Sequence, residues 1–282
     1  MSRPDHAPSS DAQRALSGEQ PDLRGDHDVA RALADQAGAA LLRLRAELGF
    51  ADPGALRAAG DRAAQALLAE RLGALRPADA VLSEEAPDDR RRLTADRVWI
   101  IDPLDGTREF AEAGRADWAV HVALWQAGRL TAGAVALPAR GVVLGADLPP
   151  SRTSWQPGRP PRIAVSRTRP PPVTAAVARA LGAELVPMGS AGAKVAAVVL
   201  GDVDAYVHGG GQYEWDSAAP VAVALAAGLH ATRLDGSALW YNRPDPALPD
   251  LLVCVPELAA AILAVTGEED AGLPDPTTGG GP

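Results

Sequence analysis

From Arg97 to Phe110 the chain reads Arg-Val-Trp-Ile-Ile-Asp-Pro-Leu-Asp-Gly-Thr-Arg-Glu-Phe, a short apolar run that stops abruptly in acid. It reads as a buried strand, and the hydrophobic period changes on either side of it. Upstream, Leu33, Ala37, Leu41, Leu44 and Leu48 recur at three- and four-residue spacing and predict a long amphipathic helix. A second helix is expected over 55–72, with Leu56, Ala63 and Leu67 on one face. Downstream, 118–125, 130–137 and 141–146 alternate around short turns and predict an antiparallel meander. A Pro/Arg-rich stretch, 149–161, then marks the expected internal boundary. Beyond it strands (162–166, 184–187, 205–208, 251–255) alternate with helices (173–181, 191–200, 216–227 and one opening at Pro256). The order predicts a layered α/β architecture with strands in both halves. The expected organisation is a disordered tail over 1–20, an N-terminal α+β half over 21–150, a C-terminal α/β half over 160–266, and a second tail over 267–282.

Composition removes several functions. The 282 residues carry a net charge of −9, against the basic face that nucleic-acid binding requires. Cys254 is the only cysteine, which excludes an internal disulfide or a multi-cysteine metal site and suits a reducing cytoplasm. The longest uncharged stretch, 217–232, falls short of the roughly 20 residues needed to span a membrane. No secretory signal is expected at the start. The five histidines show no metal spacing, so His121 and His208 read as structural, and Asp88-Asp-Arg-Arg-Arg-Leu93 reads as a solvated loop.

Three acidic clusters fall at predicted element ends: Ser83-Glu84-Glu85, Asp102-Pro-Leu-Asp105-Gly106-Thr107, and Glu214-Trp215-Asp216-Ser217-Ala218-Ala219. Taken singly, each is explained by turn chemistry or a solvated surface pair. In the second, the strand delivers Asp102, Pro103 is expected to end strand pairing, and Asp105-Gly-Thr to start a helix. Two carboxylates at such a corner, with the Leu104 carbonyl between them, are hard oxygen ligands that suit Mg²⁺. The Gly106 and Thr107 amides would make a phosphate cradle. Asp-Gly-Thr also occurs in haloacid-dehalogenase phosphatases, but their nucleophilic Asp would stand at position 103, which is Pro.

Residues 99–110 and 214–219 resemble the two signatures of the inositol-monophosphatase-like, lithium-sensitive phosphatases, in the family's order. The resemblance spans roughly 26–265 and implies a metal-dependent phosphomonoesterase with an αβαβα sandwich fold. Carried over by position, Glu84, Asp102 and the Leu104 carbonyl would hold one Mg²⁺, and Asp102, Asp105 and Asp216 a second, with two or three ions per site. Thr107 would orient the attacking water with Asp61 as its partner, though a surface role for Asp61 fits its place midway along a helix equally well. Two cations on the order of 4 Å apart activate water and stabilise the leaving oxygen, so no protein nucleophile is needed. The chain departs from the family at Ser83 (often Gly), Ala58 (Thr) and Pro220 (usually Gly), the last expected in a first helical turn where proline is tolerated.

For the alcohol side, 163–169 resembles the Val-Ser-Arg-Ser-His stretch of the nucleotide-cleaving, bacterial CysQ-type branch. Gly189-Ser190-Ala191-Gly-Ala-Lys194 resembles its substrate-binding turn. This implies hydrolysis of 3′-phosphoadenosine 5′-phosphate to AMP in sulfur assimilation, with inositol phosphates, fructose 1,6-bisphosphate or an idle phosphate-binding role as alternatives. A second phosphate needs basic partners, and Lys194, Arg167 and Arg169 can supply them. Lys194 is the one lysine among 27 basic residues, which fits either a selected point charge or an arginine-rich coding bias. The partner is then a small phosphate ester, with no nucleic acid and no membrane. Oligomeric state is not readable from the residues, and a homodimer is the common expectation.

Overall fold

The computed structural model describes residues 25–151 and 155–270. The expected tails at 1–20 and beyond 270 lie outside the described residues. Two antiparallel helices come first, α1 (Asp26–Leu48) and α2 (Pro53–Leu75). Asp52 caps α2, accepting the Ala55 amide at 2.9 Å. The buried face of α2 is Leu56, Gly60, Ala64, Leu68 and Leu72. That is one residue round from the expected Ala63–Leu67 face, because strict four-residue spacing governs this contact.

The first sheet has the order β1-β2-β3-β4-β5, with β1 (Ala80–Ser83), β2 (Arg97–Asp105), β3 (Ala119–Gln126), β4 (Arg129–Leu137) and β5 (Val142–Gly145). The meander is as expected, and β1, which the sequence reading missed, adds parallel to β2. Alternation along β2 serves two cores: Trp99 and Ile101 face α1 and α2, while Val98 and Ile100 face the inner layer. Between β1 and β2 the charged run forms a 3-10 turn (Arg90–Thr94), and Arg92 within it is wholly buried. The solvated-loop expectation fails there because Asp88 and a distant loop satisfy the guanidinium.

The second sheet has the order β7-β6-β8-β10-β9. Its strands are β6 (Arg162–Ser166), β7 (Glu184–Met188), β8 (Ala205–Tyr213), β9 (His230–Thr232) and β10 (Ala247–Cys254). The short β9 was not anticipated, and β8 runs five residues beyond the expected His208. Helices α5 (Ala191–Val199) and α6 (Glu214–Ala226) fill the space between the sheets. The layer is thin: a Cβ on Gly133 of β4 would come within 2.6 Å of Ala222 of α6. Helices α4 (Pro172–Leu181) and α7 (Pro256–Asp270) cover the far side, and α7 runs past the expected boundary at Gly267. One-turn α3 (Thr107–Phe110) follows β2. The layers are αβαβα, as the resemblance implied.

Candidate active site

The acidic corner is built by a bulge rather than by a strand end. Asp102 pairs with His121 and Asp105 with Ala119, so three steps on β2 match two on β3. Pro103 lacks the N–H that would continue the ladder, yet pairing resumes at Asp105, which corrects the expected termination. Asp102 Oδ1 accepts the Leu104 amide at 3.0 Å, and the Thr107 hydroxyl donates to the Leu104 carbonyl at 3.1 Å. Gly106 turns the chain with φ +82°, where a Cβ would also crowd Ser190 at 3.0 Å.

Asp105 draws the second half of the molecule onto this corner. Its Oδ2 accepts the Ser190 hydroxyl and the Gly192 amide, both at 2.6 Å, at the N-terminus of α5. His121 Nε2 stands 3.3 Å from the same oxygen, while Nδ1 lies 3.0 Å from the Trp215 carbonyl. Burial alone would raise Asp105, but His121, Ser190 and Gly192 outweigh it and hold the carboxyl at about 2. Burial likewise opposes a charge on His121, yet Asp105 raises the imidazole.

The other carboxylates experience the opposite balance. Burial and the charge of Asp105 push Asp216 up to about 7, and its Oδ2 accepts the Tyr213 amide at 2.7 Å. Glu84 is open to solvent on one side, but surrounding atoms and the charges of Asp216 and Asp105 raise it to about 7. Asp102 is wholly buried and raised well above the carboxylate range by burial and by Glu84. Its Oδ2 has no hydrogen-bond partner. One ligand atom each from Asp102, Asp105 and His121 fall within 4.8 Å of one another. Hard oxygens, surplus negative charge and an orphaned carboxylate oxygen fit a divalent hard cation.

Asp61 of α2 is half-buried and interacts with the Thr107 side chain, and desolvation and Glu85 raise it to about 6. A crevice of about 340 Å³ runs from Asp105, Thr107 and Asp216 to Gly189, Ser190, Ala191, Lys194, Arg167 and Arg169. Within it Lys194 is buried and donates to the carbonyls of Gly189 (3.0 Å) and Ser190 (2.7 Å). Arg167 is tied to Glu109 and Glu112, each at 2.6 Å. Arg169, Arg57 and Arg108 line the crevice outside any ion pair formed by the described residues. Burial pushes His208, also a lining residue, down to about 4, so it is neutral near pH 7.

Sequence reasoning missed His121, Arg57, Arg108 and His208. His121 had a signal in its register opposite Asp102 in the meander, and Arg108 in its place directly after Asp105-Gly-Thr, where Arg108-Glu109 looks more like the CysQ-type branch than the inositol enzymes. A second correction concerns Pro220. Helix α6 begins at Glu214, so Pro220 is its seventh residue rather than in its first turn, and the Asp216 carbonyl loses the helical donor that position would supply.

The sequence model of the inositol monophosphatase family matches residues 26–269. A 3′-phosphoadenosine 5′-phosphate phosphatase of Mycobacterium leprae is 56% identical over 254 residues, 86% of this chain and 94% of that protein. The 3′(2′),5′-bisphosphate nucleotidase CysQ of Escherichia coli K12 is 31% identical over 65% of this chain and 78% of its own. Inositol monophosphatase II of Staphylococcus aureus superposes with a TM-score of 0.73 at 20% identity, over 86% of this chain and 96% of its own, which shows the shared fold. With the two signatures now on one acidic corner, the chain belongs to the inositol monophosphatase family.

Proposed function

We propose that this chain hydrolyses 3′-phosphoadenosine 5′-phosphate to AMP and phosphate, using water activated at a Mg²⁺-holding carboxylate cluster. The observation that carries the reading is the convergence of Glu84, Asp102, Asp105 and Asp216 beside Thr107, in a chain 56% identical to a phosphatase named for that substrate. Glu84, Asp102 and the Leu104 carbonyl would hold one ion, and Asp102, Asp105 and Asp216 another. When bound, the ions lower the pKa of water and neutralise charge on the phosphoryl oxygens.

The protein's own groups do the rest. The Thr107 hydroxyl donates to the Leu104 carbonyl, so its oxygen is left to accept a hydrogen bond from the attacking water and orient it. Asp61, raised to about 6, is deprotonated at pH 7 and basic enough to take up that water's proton. Arg169, with Arg57 and Arg108, offers positive charge for a second phosphate. Arg167 would first have to leave Glu109. Neutral His208 and the carbonyl-anchored Lys194 form the inner wall for the nucleoside. Among the described residues no helix is long and apolar enough to cross a membrane. With its one cysteine buried, the chain suits a reducing cytoplasm.

The test is phosphate release from 3′-phosphoadenosine 5′-phosphate, inositol 1-phosphate and fructose 1,6-bisphosphate, with Mg²⁺ and with a chelator. The nucleotide should be preferred and all activity should need the metal. Preference for the inositol ester, or turnover that persists in chelator, would overturn the reading.

A further inference from the structure

Arg92 is the only arginine among the described residues that is wholly buried, and its bonds run in two directions. Nε and Nη2 hold Asp88 at 2.6 and 2.9 Å, four residues along the chain from Glu84. Nη1 crosses to the other half, donating to Asn242 Oδ1 at 2.8 Å and to the Arg243 carbonyl at 2.9 Å. Asn242 returns the contact from Nδ2 to the Arg92 carbonyl at 3.1 Å. The backbone amides of Asn242 and Arg243 then donate to the two oxygens of buried Glu214, at 2.6 and 2.8 Å. Glu214 is the first residue of α6, and Asp216 lies two further on. Asn242 holds φ +60°, a left-handed conformation that asparagine tolerates and that points both amides the same way.

The chain of contacts begins at Asp88, four residues after Glu84 in the same loop, and ends at Glu214, two residues before Asp216. Glu84 and Asp216 come from different halves and repel each other, so the packing around them must hold them together before any cation arrives. We propose that Arg92, Asn242 and Glu214 form a clasp that fixes the separation of the Glu84 loop from the start of α6, and so sets the affinity for the divalent cation. All three are positioning residues: none lines the crevice, and each acts through the backbone that carries a ligand. The clasp is built from buried, charge-assisted bonds, whose loss leaves a charge unpaired and loosens the segments it joined. The inference rests on the metal reading above.

The test titrates Mg²⁺ into the metal-free full chain, read by calorimetry and by tryptophan fluorescence, since Trp215 adjoins Asp216. Asn242→Gly keeps the positive φ while removing both side-chain bonds to Arg92. It should weaken Mg²⁺ binding about 10-fold, the low end for losing support behind metal ligands. At saturating Mg²⁺ its KM for the nucleotide should stay near wild type. Arg92→Lys should shift binding in the same direction, and if that variant fails to fold, Asn242→Gly alone decides. Unchanged Mg²⁺ affinity in Asn242→Gly, even with a lowered Tm, would make the clasp purely structural and overturn the proposal. A wild type that takes up no Mg²⁺ would instead defeat the metal reading, and the clasp with it.

Discussion

The Ser190 hydroxyl donates to Asp105 Oδ2 at 2.6 Å, joining the first turn of α5 to the bulged end of β2 across the two halves of the molecule. Ser190 Oγ also accepts the Ala193 amide at 2.9 Å, so one side chain both caps the helix and holds the carboxylate. Ser190→Ala should cost about 1.5–3 kcal/mol, the range for a hydrogen bond to a charged group. Urea unfolding of the metal-free protein measures it, and a loss within error would mean water replaces the hydroxyl.

Asp216→Asn should abolish turnover and yet stabilise the metal-free protein. The folded carboxyl, raised to about 7, binds a proton that the unfolded chain releases near pH 4. Its contribution is therefore full below about pH 4 and lost as pH rises through about 7. At pH 8 the variant should melt on the order of 3 °C higher, equivalent to about 1 kcal/mol in a chain of this size. At pH 4 the gain should vanish. A lower melting temperature at pH 8 would show that the Tyr213 cap outweighs the repulsion.

Thr107→Ala should lower kcat by roughly 10²–10⁴-fold with little change in KM, as expected when the water loses the group that positions it for proton transfer to Asp61. In the wild type, kcat/KM should fall below about pH 6, where the Asp61 carboxyl takes up a proton and can no longer act as base. Asp61→Asn should lower kcat and remove that acid limb. A retained limb in the variant would assign it to another group.

Gly192→Ala should destabilise the fold and reduce activity, because the new Cβ would stand 1.9 Å from His121 Nε2. Overpacking of this kind costs typically about 1–3 kcal/mol. The matched control is Gly73→Ala in α2, where nothing lies within 4 Å and helix propensity should add roughly 0.4–1 kcal/mol. Opposite shifts in Tm for the two variants are the expected result.

Asp102 and Asp105 were legible from sequence because strand and turn signals flank them, Glu84 and Asp216 as ligands came from the resemblance alone, and the layer order followed from the change of period. What stayed hidden depends on partners distant in the chain. Arg92 reads as solvated because its run is charged, and its burial depends not on Asp88 alone but also on Asn242, 150 residues on. His121 reads as an ordinary strand residue until the register of β2 against β3 sets it opposite Asp102. Pro220 was misplaced because α6 begins at Glu214, two residues before the expected start.

The extra residue in β2 also settles a question of parity. Asp102 and Asp105 are an odd number of positions apart, so on an unbroken strand they would project from opposite faces. The bulge shifts the phase by one, and both carboxylates meet the same imidazole, Oδ2 of Asp102 at 3.8 Å and Oδ2 of Asp105 at 3.3 Å. If the same residues paired in an unbroken ladder, Asp105 would stand one step further along β3 and one of the pair would turn into the opposite core. In this chain an irregularity of pairing is what makes a common site of two acids that regular pairing would keep apart.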